Sequence, residues 1–135
     1  MRRRFLKSVE ECYRGSNVRV FRLDTTAVIA RLKERAARLV ERRPDVVEVR
    51  LFGSLARGEA HPGSDADLFV VVRDGAGPFP ERIPDLARGF EGIGVGCDVI
   101  VFTESETLAA KVRGDAFMHV VFDEGVTLAT RRAVR

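Results

Sequence analysis

Two aspartates one residue apart, Asp65 and Asp67, stand at the head of an apolar run, Leu68-Phe69-Val70-Val71-Val72. Side chains two apart in a strand share a face, so the carboxylates form a pair while Ala66 points away. Like charges held that close repel, and the run behind them is too apolar to be a solvated edge. A divalent cation explains such a pair most simply, and ligands that are all oxygen fit magnesium or manganese. A third acid, Asp98, leads into a second apolar run, Val99-Ile100-Val101-Phe102. With the two strands side by side, Asp98 faces the pair. Upstream, Gly53-Ser54 directly follows the β-branched stretch Val46–Phe52. A glycine there lets the backbone turn sharply and approach a ligand closely, and Ser54 adds a hydroxyl and an amide. If Leu55–Gly58 begins a helix, the amides at its start form a phosphate cradle. One Gly-Ser turn or one aspartate alone is explained as well by a plain turn or a strand cap. Three carboxylates opposite a Gly-Ser turn instead make a two-metal phosphoryl-transfer site.

The elements that must position these residues follow from pattern and punctuation. Apolar residues Val28, Ile29, Leu32, Ala36, Leu39 and Val40 recur at helical spacing behind the candidate N-cap Asp24 or Thr25, and Pro44 forbids continuation. Val46–Phe52, Asp65–Val72 and Val95–Phe102 read as strands, and Val126–Leu128 as a small last one. Glu81–Glu91, Glu104–Val112 and Ala116–Phe122 read as helices. Before residue 24 the pattern predicts a short helix around Phe5–Tyr13, a turn at Gly15-Ser16-Asn17 and an alternating stretch Val18–Leu23. Strands alternating with helices predict a two-layer α/β domain over residues 25–135, preceded by an extension over residues 1–24.

Composition narrows the setting. The 135 residues, 45% hydrophobic and 32% charged, suffice for one soluble domain. No apolar run reaches the ~20 residues of a membrane helix, and none follows the basic start as in a signal peptide. Cys12 and Cys97 are too few for a disulfide framework and lack zinc-like spacing. A cytoplasmic location is the expectation. Residues 1–43 carry 13 Lys and Arg against 5 Asp and Glu, a balance of +8, while the remainder carries −5. A solvated helix face is the preferred explanation of the basic third, ahead of a surface for RNA or an acidic partner.

The segment Leu51–Val72 resembles the DNA polymerase beta-like nucleotidyltransferase superfamily, whose signature is Gly-Ser, a spacer, then Asp-x-Asp. Here ten residues separate Ser54 from Asp65. With Ala56-Arg57-Gly58-Glu59 and Ser64 it looks like the minimal nucleotidyltransferases of that superfamily, a resemblance that covers roughly residues 25–129. It implies the superfamily's α+β fold, a small mixed sheet packed with helices. Gly53 and Ser54 would hold the terminal phosphates of ATP or another nucleoside triphosphate. Asp65 and Asp67 would bind two magnesium ions, with manganese as a substitute. Asp98 would share the second metal and activate the acceptor hydroxyl. A nucleoside monophosphate, AMP first among them, would pass to that hydroxyl. The resemblance also implies a small helical HEPN protein as partner and acceptor in a toxin–antitoxin module. Two other functions stay open: a non-catalytic antitoxin that masks such a partner, and an aminoglycoside-type small-molecule nucleotidyltransferase. A homo-oligomer is also open.

Arg57 has two readings, a phosphate contact and an exposed arginine. Glu59 is read as a cap or a partner for an arginine, His61 as a solvated loop residue, and Ser64 as support for the turn into the strand. His119, set among Phe117, Met118, Val120 and Val121, is read as a partly buried structural histidine, and Cys97 as a small buried apolar residue.

Overall fold

A computed structural model describes residues 9–131 apart from Ser16, Val18, Ala76 and Pro78. A hairpin comes first: β1 (Val9–Arg14) pairs antiparallel with β2 (Arg19–Leu23), Val9 opposite Leu23. The helix expected around Phe5–Tyr13 is therefore a strand over its described residues; residues 5–8 lie outside them. The chain reverses between Arg14 and Arg19 and gives residues 9–14 a partner strand, whereas so short a helix without packing is marginal. Leu23 is buried and Val9 packs against the same core.

Helix α1 (Thr25–Arg42) starts where Asp24 accepts the Ala27 N–H at 3.1 Å, and it buries Val28, Leu32, Ala36 and Leu39. Pro44 follows its end. Then come β3 (Val46–Phe52), β4 (Ala66–Val72), α2 (Phe79–Arg88), β5 (Cys97–Thr103), α3 (Glu104–Val112), α4 (Ala116–Phe122) and β6 (Val126–Thr130). α2 begins two residues before the expected start and stops ahead of Gly89. β5 begins two residues later than expected, because Gly92 and Gly94 take left-handed backbone and keep that stretch a loop. α3 opens with a capping box: Thr103 Oγ1 accepts the Glu106 N–H at 3.1 Å, and Glu106 Oε1 accepts the Thr103 N–H at 2.8 Å. Among the described residues no helix is long and apolar enough to cross a membrane.

The four strands form one mixed sheet in the order β5-β4-β3-β6, with β3 antiparallel to both neighbours and β4 parallel to β5. α1 and α2 make one layer over this sheet, burying Leu32, Leu39 and Leu86 against Val49, Leu51, Leu68 and Val70. The short α3–α4 pair covers part of the other face, where Phe69, Val71, Met118 and Val121 are buried. Aromatic rings tile that side, Phe69 with Phe102 at 5.1 Å and Phe52 with Phe117 at 5.3 Å between centroids. β4 is buried on both faces, which its continuous apolar run requires. Since β3 ends where β4 and β5 begin, Phe52, Asp67 and Asp98 all lie at one end of the sheet.

Two arginines tie the layers together. Arg131 donates to the carbonyls of Val40, Arg43 and Val46, closing the end of α1. Arg50, its side chain only 11% exposed, donates to Val121 O at 3.1 Å and to Phe122 O and Gly125 O at 3.3 Å. It thereby holds the end of α4 against β3. Replacing Arg50 with Met leaves those carbonyls unpaired and is expected to cost roughly 1–3 kcal/mol in urea unfolding. The Arg82 hydrogen bond, then the Thr103 N–H, hold the Glu106 carboxyl below the ordinary carboxylate range. A carboxyl depressed by folding adds stability above its unfolded pKa and loses it as pH falls through the folded one. Glu106→Gln should therefore lower Tm at neutral pH, and the difference from the parent should vanish in strong acid.

Candidate active site

The site is assembled at the mouth of β4, between the end of β3 and the start of β5. The parallel register sets Asp67 directly beside Asp98, on neighbouring strands spaced ~4.8 Å apart. Asp67 shares a face with Phe69 and Val71, and Asp98 with Ile100 and Phe102, so both carboxylates stand on the α3–α4 side of the sheet. Asp65 lies one residue ahead of β4, and its Oδ1 sits against Gly96. Across the antiparallel pair, Phe52 faces Asp67, and Gly53 comes next with φ 80°. A Cβ on Gly53 would overlap Asp67 Oδ2, so glycine here serves both the left-handed turn and the space that the carboxylate occupies.

From Gly53 the chain runs through consecutive turns, so the expected helix at Leu55–Gly58 does not form. Arg57 N–H bonds Gly53 O at 3.2 Å and Glu59 N–H bonds Ser54 O at 2.9 Å, and the left-handed Gly58 (φ 72°) stops a further turn. Leu55 is 1% exposed and pins this turn into the main core. The bonds inside such a turn use its first carbonyls and leave its first amides over.

Electrostatics show how close the acids stand. Burial first, then the charges of Asp98 and Asp65, push the Asp67 carboxyl above its ordinary range, and Arg57 pulls it the other way. Burial followed by the Asp65 and Asp98 charges pushes the Cys97 thiol up to about 11. The mouth thus concentrates negative charge, which Arg57 offsets in part. A hard divalent cation fits this donor set, which is carboxylate oxygen throughout. Among the described residues no three acidic, histidine or cysteine side chains close into a ready-made cage. Magnesium suits such an open arrangement, because it takes one or two carboxylates and completes its shell with water and substrate phosphates.

The remaining candidates separate into supports and bystanders. Arg57 is exposed and its Nε pairs with Glu59 Oε2 at 3.1 Å, the arginine partner expected for Glu59. Ser64 Oγ accepts the His61 N–H at 3.1 Å and holds the turn into β4. His61 is exposed in its loop. His119 departs from expectation: it is exposed on the outer face of α4 and meets Asp123 one turn on, since Met118 and Val121 take the buried positions. Sequence reasoning missed Gly96, which abuts Asp65. Its signal is the alternation Gly92-Ile93-Gly94-Val95-Gly96 that ends two residues ahead of Asp98.

No curated protein matches the chain. Among solved structures it is similar to a protein from Sulfolobus solfataricus that carries a provisional nucleotidyltransferase assignment, with 26% identity and a TM-score of 0.53. That match covers 79% of this chain and 87% of the other. A structure described as a toxin-antitoxin with AMP-PNP matches with 21% identity and a TM-score of 0.46, over 82% and 76% of the two chains. The family profile described as a nucleotidyltransferase domain matches residues 29–122, which takes in the Gly-Ser turn and all three aspartates. On that match, the chain belongs to the nucleotidyltransferase domain family.

Proposed function

We propose that this nucleotidyltransferase moves AMP from ATP onto a hydroxyl of a partner protein, with magnesium at the Asp65, Asp67 and Asp98 carboxylates. The observation that carries the reading is the register of β4 on β5, with Asp67 beside Asp98 and against Gly53, and Asp65 two residues ahead. Such a cluster is costly to a fold and needs a cation to balance it.

In this reading Gly53, Ser54 and the amides that follow hold the β- and γ-phosphates, and Arg57 exchanges Glu59 for a phosphate oxygen. Asp65 and Asp67 anchor the metals. When bound, magnesium neutralises the triphosphate and stabilises the attacking and leaving oxygens together. Asp98, on the outer side of the cluster, orients the acceptor hydroxyl and takes its proton. The hydroxyl oxygen then bonds to the α-phosphorus in line with the breaking α–β bridge, and pyrophosphate leaves. The acceptor is argued from the resemblance to the minimal nucleotidyltransferases, which points to a small helical HEPN protein. Incubation with labelled ATP, Mg²⁺ and the protein encoded by the neighbouring gene, followed by intact mass, tests this. A gain of one AMP on the partner is expected; no gain on any acceptor would overturn the reading.

The Asp65→Asn/Asp67→Asn variant should lose transfer by two orders of magnitude or more while its metal-free Tm stays level or rises, because like-charge repulsion is relieved. Retained transfer in that variant would exclude both carboxylates from the chemistry. Asp98→Asn should reduce kcat far more than ATP affinity, since its task is on the acceptor side. Equal losses in single-turnover rate and ATP binding would move Asp98 to the triphosphate side.

A further inference from the structure

Gly96 is the residue ahead of β5, and the parallel register that sets Ala66 beside Cys97 puts Asp65 beside it. The Ala66 N–H donates to Gly96 O at 2.8 Å, which locks the mouth of β4 to this point. A Cβ on Gly96 would stand 2.5 Å from Asp65 Oδ1 and 3.3 Å from its Cγ, well inside van der Waals contact. The backbone itself does not call for glycine here. Gly96 is outside the left-handed region, unlike Gly92 at φ 73° and Gly94 at φ 97°. A side chain here is accommodated only if the Asp65 carboxylate moves aside.

The loop leading to Gly96 is held from α1 as far as Ile93. Phe90 and Ile93 are buried at 2% and 0% exposure. Arg31 donates to Ile93 O at 3.0 Å, and Arg35 donates to Gly89 O at 3.2 Å and Glu91 O at 3.0 Å. α1 thus braces residues 89–93, and the Ala66 N–H bond to Gly96 O holds Gly96 itself beside Asp65.

We propose that Gly96 is a positioning residue for the metal-binding carboxylates: its bare Cα sets where Asp65 stands beside Asp67 and Asp98. This rests on the metal reading of the cluster given above. Residues that orient metal ligands typically change affinity by ~10–100-fold when altered. A side chain at Gly96 should act in that range by displacing Asp65.

Mn²⁺ binding, followed by the electron paramagnetic resonance of the free ion, tests this on the full chain. Gly96→Ala should weaken Mn²⁺ binding about tenfold or more. Gly92→Ala strains a left-handed position where the new Cβ meets nothing within 4 Å, so it should lower Tm yet keep the parent's Mn²⁺ affinity. In an Asp65→Ala background, Gly96→Ala should cause no further loss of Mn²⁺ and a smaller drop in Tm than in the parent, because the clashing group is gone. If Gly96→Ala alone does not fold, recovery of folding in the Asp65→Ala double variant supports the proposal, and failure there overturns it. Parent-like Mn²⁺ affinity in Gly96→Ala, or an equal loss in both backgrounds, would also overturn it. A parent that binds no Mn²⁺ would instead bring down the metal reading itself, and the Gly96 role with it.

Discussion

Three like charges are held at one end of a sheet by strands that are apolar behind them, and the rest of the structure accommodates that constraint. Asp65, Asp67 and Asp98 would separate if the backbone were free to let them. They stay together because β4 is buried on both faces and β5 is zipped to it residue for residue from Ala66 and Cys97 onward. Hydrophobic burial along Leu68–Val72 opposes the repulsion at the mouth. Burial first, and then the charges of Asp98 and Asp65, raise the Asp67 carboxyl above its ordinary range.

The supports around the cluster divide the work. On the α1–α2 side, large aliphatic groups and the Arg31 and Arg35 braces fix the loop that leads into β5. On the α3–α4 side, the phenylalanine rings and Arg50 fix the end of β3 from which the Gly53 turn departs. Leu55, sunk into the main core, then anchors that turn from its far side. The turn and the carboxylates are thereby referenced to the same sheet through separate contacts.

How much of this could be read from the sequence depends on how local each cause is. α3 and α4 have the expected bounds, because Thr103 and Asp115 cap them through neighbours two or three residues away. The nearness of Asp65 to Asp67 follows from their two-residue spacing at the head of β4. The parallel register that brings Asp98 beside Asp67 is decided by residues some 30 positions apart, and no local pattern encodes it. Gly96 is in the same position: its reason is a carboxylate across the strand pair, so along the chain it looks like one more loop glycine. The hairpin was misjudged since Val9 through Tyr13 has spacing that fits a helix, and only the partner stretch beyond the turn decides otherwise. His119 shows the limit of composition: apolar neighbours in sequence point to the core, but the 3.6-residue period of a helix buries Met118 and Val121 and turns His119 outward.

The parallel join of β4 to β5 also orders events during synthesis. Parallel strands need a crossover, here residues 73–96 with α2 inside it, and such non-local pairs close late. A chain emerging from its N-terminus presents the Gly-Ser turn and the first two aspartates well before Asp98 can join them. Nor is the sheet closed until β6 returns to lie against β3. A nascent chain halted anywhere from residue 67 to residue 97 holds two acids of the cluster without the third. Whatever chemistry needs all three acids thus waits until β5 has been made and has paired with β4.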